Sequence, residues 1–561
     1  LRKLVVHHIV DGQQRLTTLT ILLSVLKREL ESVLEVDHPA CKELARHYLW
    51  IRGPNSAIPT PRLRLHGELG TYFRRSVLAD VPGEDGPRTT AAKRLTEARR
   101  FFQQWLSEER QKRDATDGRE WLLQLRAKVT ERLVCTLFPV ESEGEVGVIF
   151  EVMNNRGRPL SELDKVKNYL LYVAAKLEAN ELAIRVNETW GKLLRLLMEG
   201  GLTEWADEDR LLRTHWLLTQ DHDDRNWEGY RSVKARFDLR HHVEDEARFQ
   251  LQTDIAGYLR TLEDTAIALR DIDRPDRDGA FTRLSSNGDV RDTLRLWTKR
   301  LHRIGILRAF RPFLAGVRMR SRTPDTYLAA LRACERFSFL VYGLAGLRSH
   351  TGRTRFNSMG RRVFEGELGV DEAIVQVESL TGWYCKRETY DSFWKLDEEN
   401  PRDFYRWGAL RYLLYEYELH CVDDKNVRVM WSTLQKGKKK TTIEHILPQD
   451  PSHAYWRKRF TEDDVRIYLH DLGNLALTED NSSYGNKPYC DKLGEPGIER
   501  RCYCGSLLKS EQNLANWKDW TPEAIRERRS QLVEWASDRW PRPVEEELDE
   551  DEVAAEAELP N

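Results

Sequence analysis

Thr441-Thr-Ile-Glu444-His445-Ile-Leu-Pro448-Gln449, followed by Asp471-Leu-Gly-Asn474-Leu-Ala-Leu-Thr-Glu-Asp480-Asn481-Ser-Ser-Tyr-Gly-Asn486-Lys487, is the stretch that organises the chain. Thr441 to Leu447 is β-branched and apolar and stops at Pro448, which reads as a strand. Leu472 to Thr478 is a second short apolar run. Thr478 to Ser483 is a cluster of turn residues whose Asp and Asn side chains suit the cap of a following helix. The expected order is strand, loop, strand, turn, helix start.

Hydrolysis of a phosphodiester needs an activated water and something to take up charge on the phosphate and the leaving oxygen. A histidine that is neutral near pH 7 accepts the water's proton. A divalent metal supplies the charge. Magnesium keeps several waters, so one or two Asn, Asp or Glu oxygens suffice to hold it. His445 on a strand, with an asparagine from the next strand or helix, is a sufficient set; an ordinary strand histidine beside turn asparagines is the plainer alternative. The ordered constellation resembles an HNH (ββα-metal) nuclease, and more closely the carboxy-terminal domain of GmrSD-type modification-dependent (type IV) restriction enzymes. Ser506 and the run Trp517-Lys-Asp-Trp520-Thr-x-Glu-x-Ile525-x-x-Arg528-Arg529-x-x-Leu532-x-x-Trp535 match the helix that closes that domain. The resemblance implies His445 as general base and Asn474 as the residue that orients it or its loop. It implies Asn481 as a helix-borne metal ligand, with Asn486 and Glu444 as further candidates. Neighbours on a regular strand point to opposite faces, so Glu444 and His445 serve one site only where the strand bends.

At the other end, Leu4-Val-Val-His-His-Ile-Val10 is a β-type run. Asp11-Gly12-Gln13-Gln14-Arg15 follows, and Leu16 to Leu26 reads as a mainly apolar helix. Strand, glycine-containing turn and helix aim backbone N–H groups at an anion, and Arg15 adds donors suited to phosphate. Asp11 suits a ribose hydroxyl, a metal or an attacking water, and equally a helix cap. The run resembles the DGQQR motif of the GmrS-like, ParB-related domain that pairs with this nuclease. Phe150-Glu-Val-Met-Asn154-Asn-Arg156-Gly157-Arg-Pro159-Leu160-Ser-x-x-Asp164-x-x-Lys167-Asn168 matches the family's later block. A strand Leu133–Val140 is expected before it, and a helix Ser161–Leu177 after it, with Ser161 as N-cap. The resemblance implies a nucleoside-triphosphate pocket shared by the two blocks, with Asn154, Arg156 and Lys167 as polar partners and hydrolysis coupled to nuclease control. Lys167 and Asn168 suit a solvated helix face equally well. An earlier aromatic-Gln-Arg block, usual in the family, is absent from a chain that opens at Leu1. The start is expected upstream or at a non-standard codon.

Length and composition set the frame. The 561 residues, 32% charged and 40% hydrophobic, suit two to four globular, soluble domains. A net charge of −2 makes any DNA-binding surface a local one. No run of about 18 apolar residues and no secretory signal are present, so a cytoplasmic location without membrane contact is expected. Eight scattered cysteines without a Cys-x-x-Cys pair read as reduced thiols. Cys490, Cys502 and Cys504 lack a clear fourth zinc ligand. Residues 80–92 are a loop by composition. Leu251 to Ile272 and Val290 to Met319 carry helical spacing, and Ala329 to Leu347 is apolar on most faces. Phe310, Arg311, Phe313, Arg318, Arg320 and Arg322 read as a packed helix with solvated arginines, in preference to a DNA-lining surface. Lys436, Lys438, Lys439 and Lys440 suit phosphate contact or a solvated hairpin tip. The tail Glu545 to Glu558 reads as disordered.

The expected fold is α+β, mostly α. Residues 1–178 form a ParB-like α/β nucleotide domain, 179–400 a helical spacer, 401–540 the ββα-metal nuclease, and 541–561 an acidic tail. The resemblance implies a nucleotide-regulated endonuclease of anti-phage defence, dependent on Mg2+ or another divalent metal, acting on modified foreign DNA. Alternatives are a nucleotide-gated DNA-binding switch with weak or no cutting, and an RNA-directed HNH nuclease. A homo-oligomer is compatible with either.

Overall fold

The computed structural model describes residues 12–35, 37–52, 59–65, 67–79, 89–135, 160–202, 204–241, 244–305, 307–422, 443–479, 481–495 and 502–544, with His7, Ile9 and Trp431. Asp11, Asn154, Arg156, the lysines at 436, 438, 439 and 440, and the acidic tail lie outside the described residues, as do most of the run Leu4–Val10 and residues 136–140 of the expected strand. The described chain is mostly helix. It divides into two compact units, Leu1–Arg277 and Asp278–Asn561, so the helical middle at 179–400 is shared between them.

In the first unit Gly12 takes a left-handed backbone (φ 85), which glycine adopts without a Cβ penalty, and opens the helix Gln13–Val33. The inward face of that helix, Ile21, Val25, Leu26 and Leu30, packs on Leu44, Phe73, Val77, Leu106 and Leu122. The helix Glu162–Lys176 begins where expected: the Ser161 hydroxyl accepts the Asp164 N–H at 3.1 Å. Its Leu163, Val166, Leu170 and Val173 pack against Trp190 and Leu193 of the helix Asn180–Glu199 and Ile255 and Leu262 of the helix Asp245–Asp273. Leu133–Cys135, expected to open a strand, have no regular structure and are exposed. The helix Ala115–Ala127 runs on as a widened turn to Arg132, directly before these residues. Among the described residues this unit has one two-stranded sheet, Trp50–Ile51 with Thr60–Pro61.

In the second unit the expected run Val290–Met319 is two helices, Gly288–Ile304 and Leu307–Arg320, parted at Gly305 (φ 85). A left-handed glycine ends the first helix, while apolar residues on both sides keep a nearly continuous helical spacing. Phe310 and Phe313 are fully buried, with ring centroids 4.7 and 5.7 Å from that of Phe356, so these aromatics are core. The helix Arg353–Glu365 lies so close that a Cβ on Gly360 would sit 2.8 Å from the Phe313 Cα. The helix Pro324–Phe337, continued as a widened turn Ser338–Leu344, is buried as its composition implies. The closing helix Pro522–Arg539 follows the Thr521 cap. Just beyond it Trp540 stacks on Phe339 at 3.7 Å between centroids and donates its indole N–H to Glu335 at 3.0 Å. Among the described residues, no helix is long and apolar enough to cross a membrane.

Candidate active site

The strand Ile443–His445 pairs antiparallel with Leu475–Leu477, setting Ile443 opposite Leu477, Glu444 opposite Ala476 and His445 opposite Leu475. The first strand ends at His445, before the run's Ile446 and Leu447, and the second begins only at Leu475, because Asn474 holds a bend directly after His445. Its carbonyl accepts the Ile446 N–H at 3.0 Å. Its side-chain oxygen accepts the Leu447 N–H at 2.7 Å and the Trp520 indole N–H at 3.1 Å. Its side-chain nitrogen donates to the Leu447 carbonyl at 3.0 Å and the Leu469 carbonyl at 2.8 Å. Two acceptor positions and two donors are thus in use on a fully buried amide. The closing helix clamps the same turn. Arg528 donates to the carbonyls of Gly473 and Leu475 at 2.7 and 2.9 Å, and Arg529 pairs with Asp471. Gly473 lies so close to this helix that a Cβ would fall 2.1 Å from the Ile525 carbonyl oxygen.

His445 is 6% exposed. Its Nε2 lies 3.1 Å from Nδ1 of His470, and the Tyr405 ring packs on it at 4.5 Å between centroids. Burial, together with His470 and Lys492, holds the imidazole down to about 4, against a smaller opposing pull from Asp403. It is therefore neutral, the form a general base requires. Tyr405 also stacks on His470, at 5.9 Å and 23°. The His470 carbonyl accepts the Phe404 N–H at 3.0 Å, which ties the loop around 403–406 to the site. Neither His470 nor Tyr405 stands out in the sequence. The one available signal was a histidine directly before Asp471-Leu-Gly-Asn474.

Glu444 has a different set of partners, as alternation along a strand requires. Its carboxylate accepts from the Lys492 amine at 2.7 Å and the Tyr503 hydroxyl at 3.0 Å. The same buried amine donates to the carbonyls of His445 and Ile446, both at 3.1 Å. Burial pushes the Glu444 carboxyl up and the Lys492 amine down, and their mutual attraction opposes both shifts. Asn481 lies on a short 3-10 turn, Asn481–Ser483, and its amide donates to the Ile443 carbonyl at 2.9 Å. The α-helix that follows is Tyr489–Leu493, with Pro488 at its start and no side-chain cap. The expected Asp or Asn cap is thus replaced by a tie between the turn and the strand. Asn486 is exposed and donates to Asp450 at 3.1 Å. Among the described residues no group of three or more His, Cys, Asp or Glu side chains can hold a metal. The oxygens of Asn481 and Asn486 suit a hard cation that retains several waters. All eight cysteines are free thiols, with Cys490 exposed, Cys502 buried and Cys504 between.

At the amino-terminal motif, the left-handed Gly12 puts Gln13, Gln14 and Arg15 on the first turn of a helix. The Gln13 amide donates to the Ile9 carbonyl at 2.7 Å, and all three side chains are exposed. Lys167 is half-buried. Burial pulls its amine down, with Asp164 opposing, and burial raises Asp164, which also faces Arg94.

Two family models match the chain. The GmrSD restriction endonuclease N-terminal domain matches residues 4–171, and the GmrSD restriction endonucleases C-terminal domain matches residues 386–535. No curated protein matches it. The first match takes in the Gly12 turn and the Lys167 helix. The second takes in Tyr405, His445, His470, Asn474, Asn481 and most of the closing helix, and the two together span more than half of the 561 residues. The chain belongs to the GmrSD restriction endonucleases, enzymes that cut DNA in restriction.

Proposed function

We propose that this chain is a metal-dependent DNA endonuclease of the HNH kind, controlled by nucleotide at its amino-terminal motif, which restricts modified foreign DNA in bacterial defence. The observation that carries this reading is a buried, neutral His445 at the end of a short two-stranded antiparallel sheet, next to a bend held by Asn474. His445 takes a proton from water, and the resulting hydroxide attacks the phosphorus. Asn474 holds the loop after His445 through backbone bonds, and Lys492 fastens the same loop from beneath. Asn481, with Asn486 as the alternative, is the side chain that would hold a magnesium ion, which when bound would supply positive charge to the phosphate. Glu444 reaches such an ion only by giving up Lys492 and Tyr503. In the first unit the Gly12 turn opens a helix N-terminus toward which phosphate oxygens are attracted, and Arg15 supplies further donors.

The test is cleavage of matched modified and unmodified phage DNA, and of supercoiled plasmid, with magnesium or manganese and with each of the four ribonucleoside triphosphates. Cutting that requires metal, prefers modified DNA and varies with nucleotide is the expected result. Binding of DNA with no cutting under any of these conditions would favour a nucleotide-gated binding switch instead.

A further inference from the structure

We infer that His470 is a positioning residue for the general base, fixing the ring orientation and the tautomer of His445. This rests on the reading of His445 as the base. The 3.1 Å approach of His445 Nε2 to His470 Nδ1 is a hydrogen bond between two ring nitrogens, so one carries the proton and the other accepts it. With Nε2 turned to His470, proton acceptance from water falls to Nδ1 of His445. That requires the Nε2–H tautomer, with His470 Nδ1 as acceptor and the His470 proton on its own Nε2. The water gives its proton to His445 Nδ1. Its oxygen bonds to phosphorus while the bond from phosphorus to the leaving ester oxygen breaks, and that oxygen takes a proton from solvent. The imidazolium formed on His445 then donates to His470 more strongly than the neutral ring did.

His470 is itself held for this task. Its carbonyl accepts the Phe404 N–H at 3.0 Å, and its ring is stacked on Tyr405, which also packs on His445. Asn474 spends its side chain on Leu447, Leu469 and Trp520. The loop and the ring thus have separate anchors. A base oriented by a third group is the general arrangement by which a proton acceptor is kept in its working tautomer.

The test compares His470→Ala, His470→Asn and His470→Gln with wild type on DNA that the wild type cuts, with His445→Ala alongside. An Asn amide reaches the place of Nδ1, whereas a Gln amide reaches that of Nε2. His470→Ala is expected to lower kcat by about 10- to 100-fold, the range for removing a hydrogen-bonding partner behind a functional ligand, with KM for DNA unchanged. His470→Asn should recover most of the loss and His470→Gln should not. Wild-type kcat in His470→Ala, equal recovery by Asn and Gln, or a loss confined to KM would each overturn the inference while leaving the base assignment standing. Undiminished cutting by His445→Ala would overturn the base assignment itself, and with it this inference.

Discussion

For His445 as the proposed base, burial sets the pH range of the base form. A histidine at its ordinary value near 6.5 is mostly protonated at pH 6 and would lose about three quarters of its base form there. His445, held down to about 4, keeps its base form through pH 6. Single-turnover cleavage at fixed magnesium is therefore expected to fall less than about twofold between pH 8 and pH 6, against about fourfold for an unshifted histidine. A fall that follows a group titrating near 6.5 would contradict this. His445 was legible in the sequence as a candidate because a strand, a proline stop and two downstream asparagines surround it. His470 was not, because its contacts exist only where residues 403–406, 445 and 470 meet. Glu444 was legible as a charged strand residue but not as the partner of Lys492, which lies on a helix beyond the asparagine turn.

Among the elements, the closing helix and the Asp471–Leu475 turn depend on a glycine for close approach rather than for an unusual backbone angle. A methyl group at Gly473 would strike the Ile525 carbonyl oxygen. Gly473→Ala is expected to cost about 1–3 kcal/mol, the usual range for overpacking a well-filled core, read as a lower urea midpoint of the second unit. The same substitution at the solvent-exposed Gly366, where a methyl meets nothing within 4 Å but φ is 85, provides a backbone-strain comparison. An unchanged midpoint for Gly473→Ala would show that the helix does not sit on the turn as described. Helices were the most readable elements. Ser161 announces one through its cap, and the apolar spacing of Leu251 to Ile272 falls wholly inside another. Gly305 was visible, yet the spacing of apolar residues on either side hid the break. The nuclease strands were overestimated because β-branched and apolar runs reveal propensity, whereas Asn474 and its four side-chain hydrogen bonds decide where pairing stops.

For the whole molecule, the family's two domains lie on one chain, and helices from the middle of the sequence belong to both compact units. The sequence suggested one spacer because its helical pattern is uniform; which helices share a core depends on packing partners far apart in the chain. If nucleotide at the amino-terminal motif controls cutting, it must bind the cutting and resting states with different affinity. Arg15→Ala is then expected to change the dependence of DNA cleavage on nucleotide concentration, while His445→Ala leaves nucleotide hydrolysis unchanged. A cleavage rate flat in nucleotide and equal in wild type and Arg15→Ala would mean that the two activities are merely tethered. The most direct test of the central claim is the single-turnover cleavage rate of His445→Ala beside wild type, on modified phage DNA with magnesium and saturating protein. Loss of a general base predicts a rate lower by about 10²- to 10⁴-fold with DNA binding and thermal stability retained; nicking by His445→Ala at the wild-type rate would contradict it.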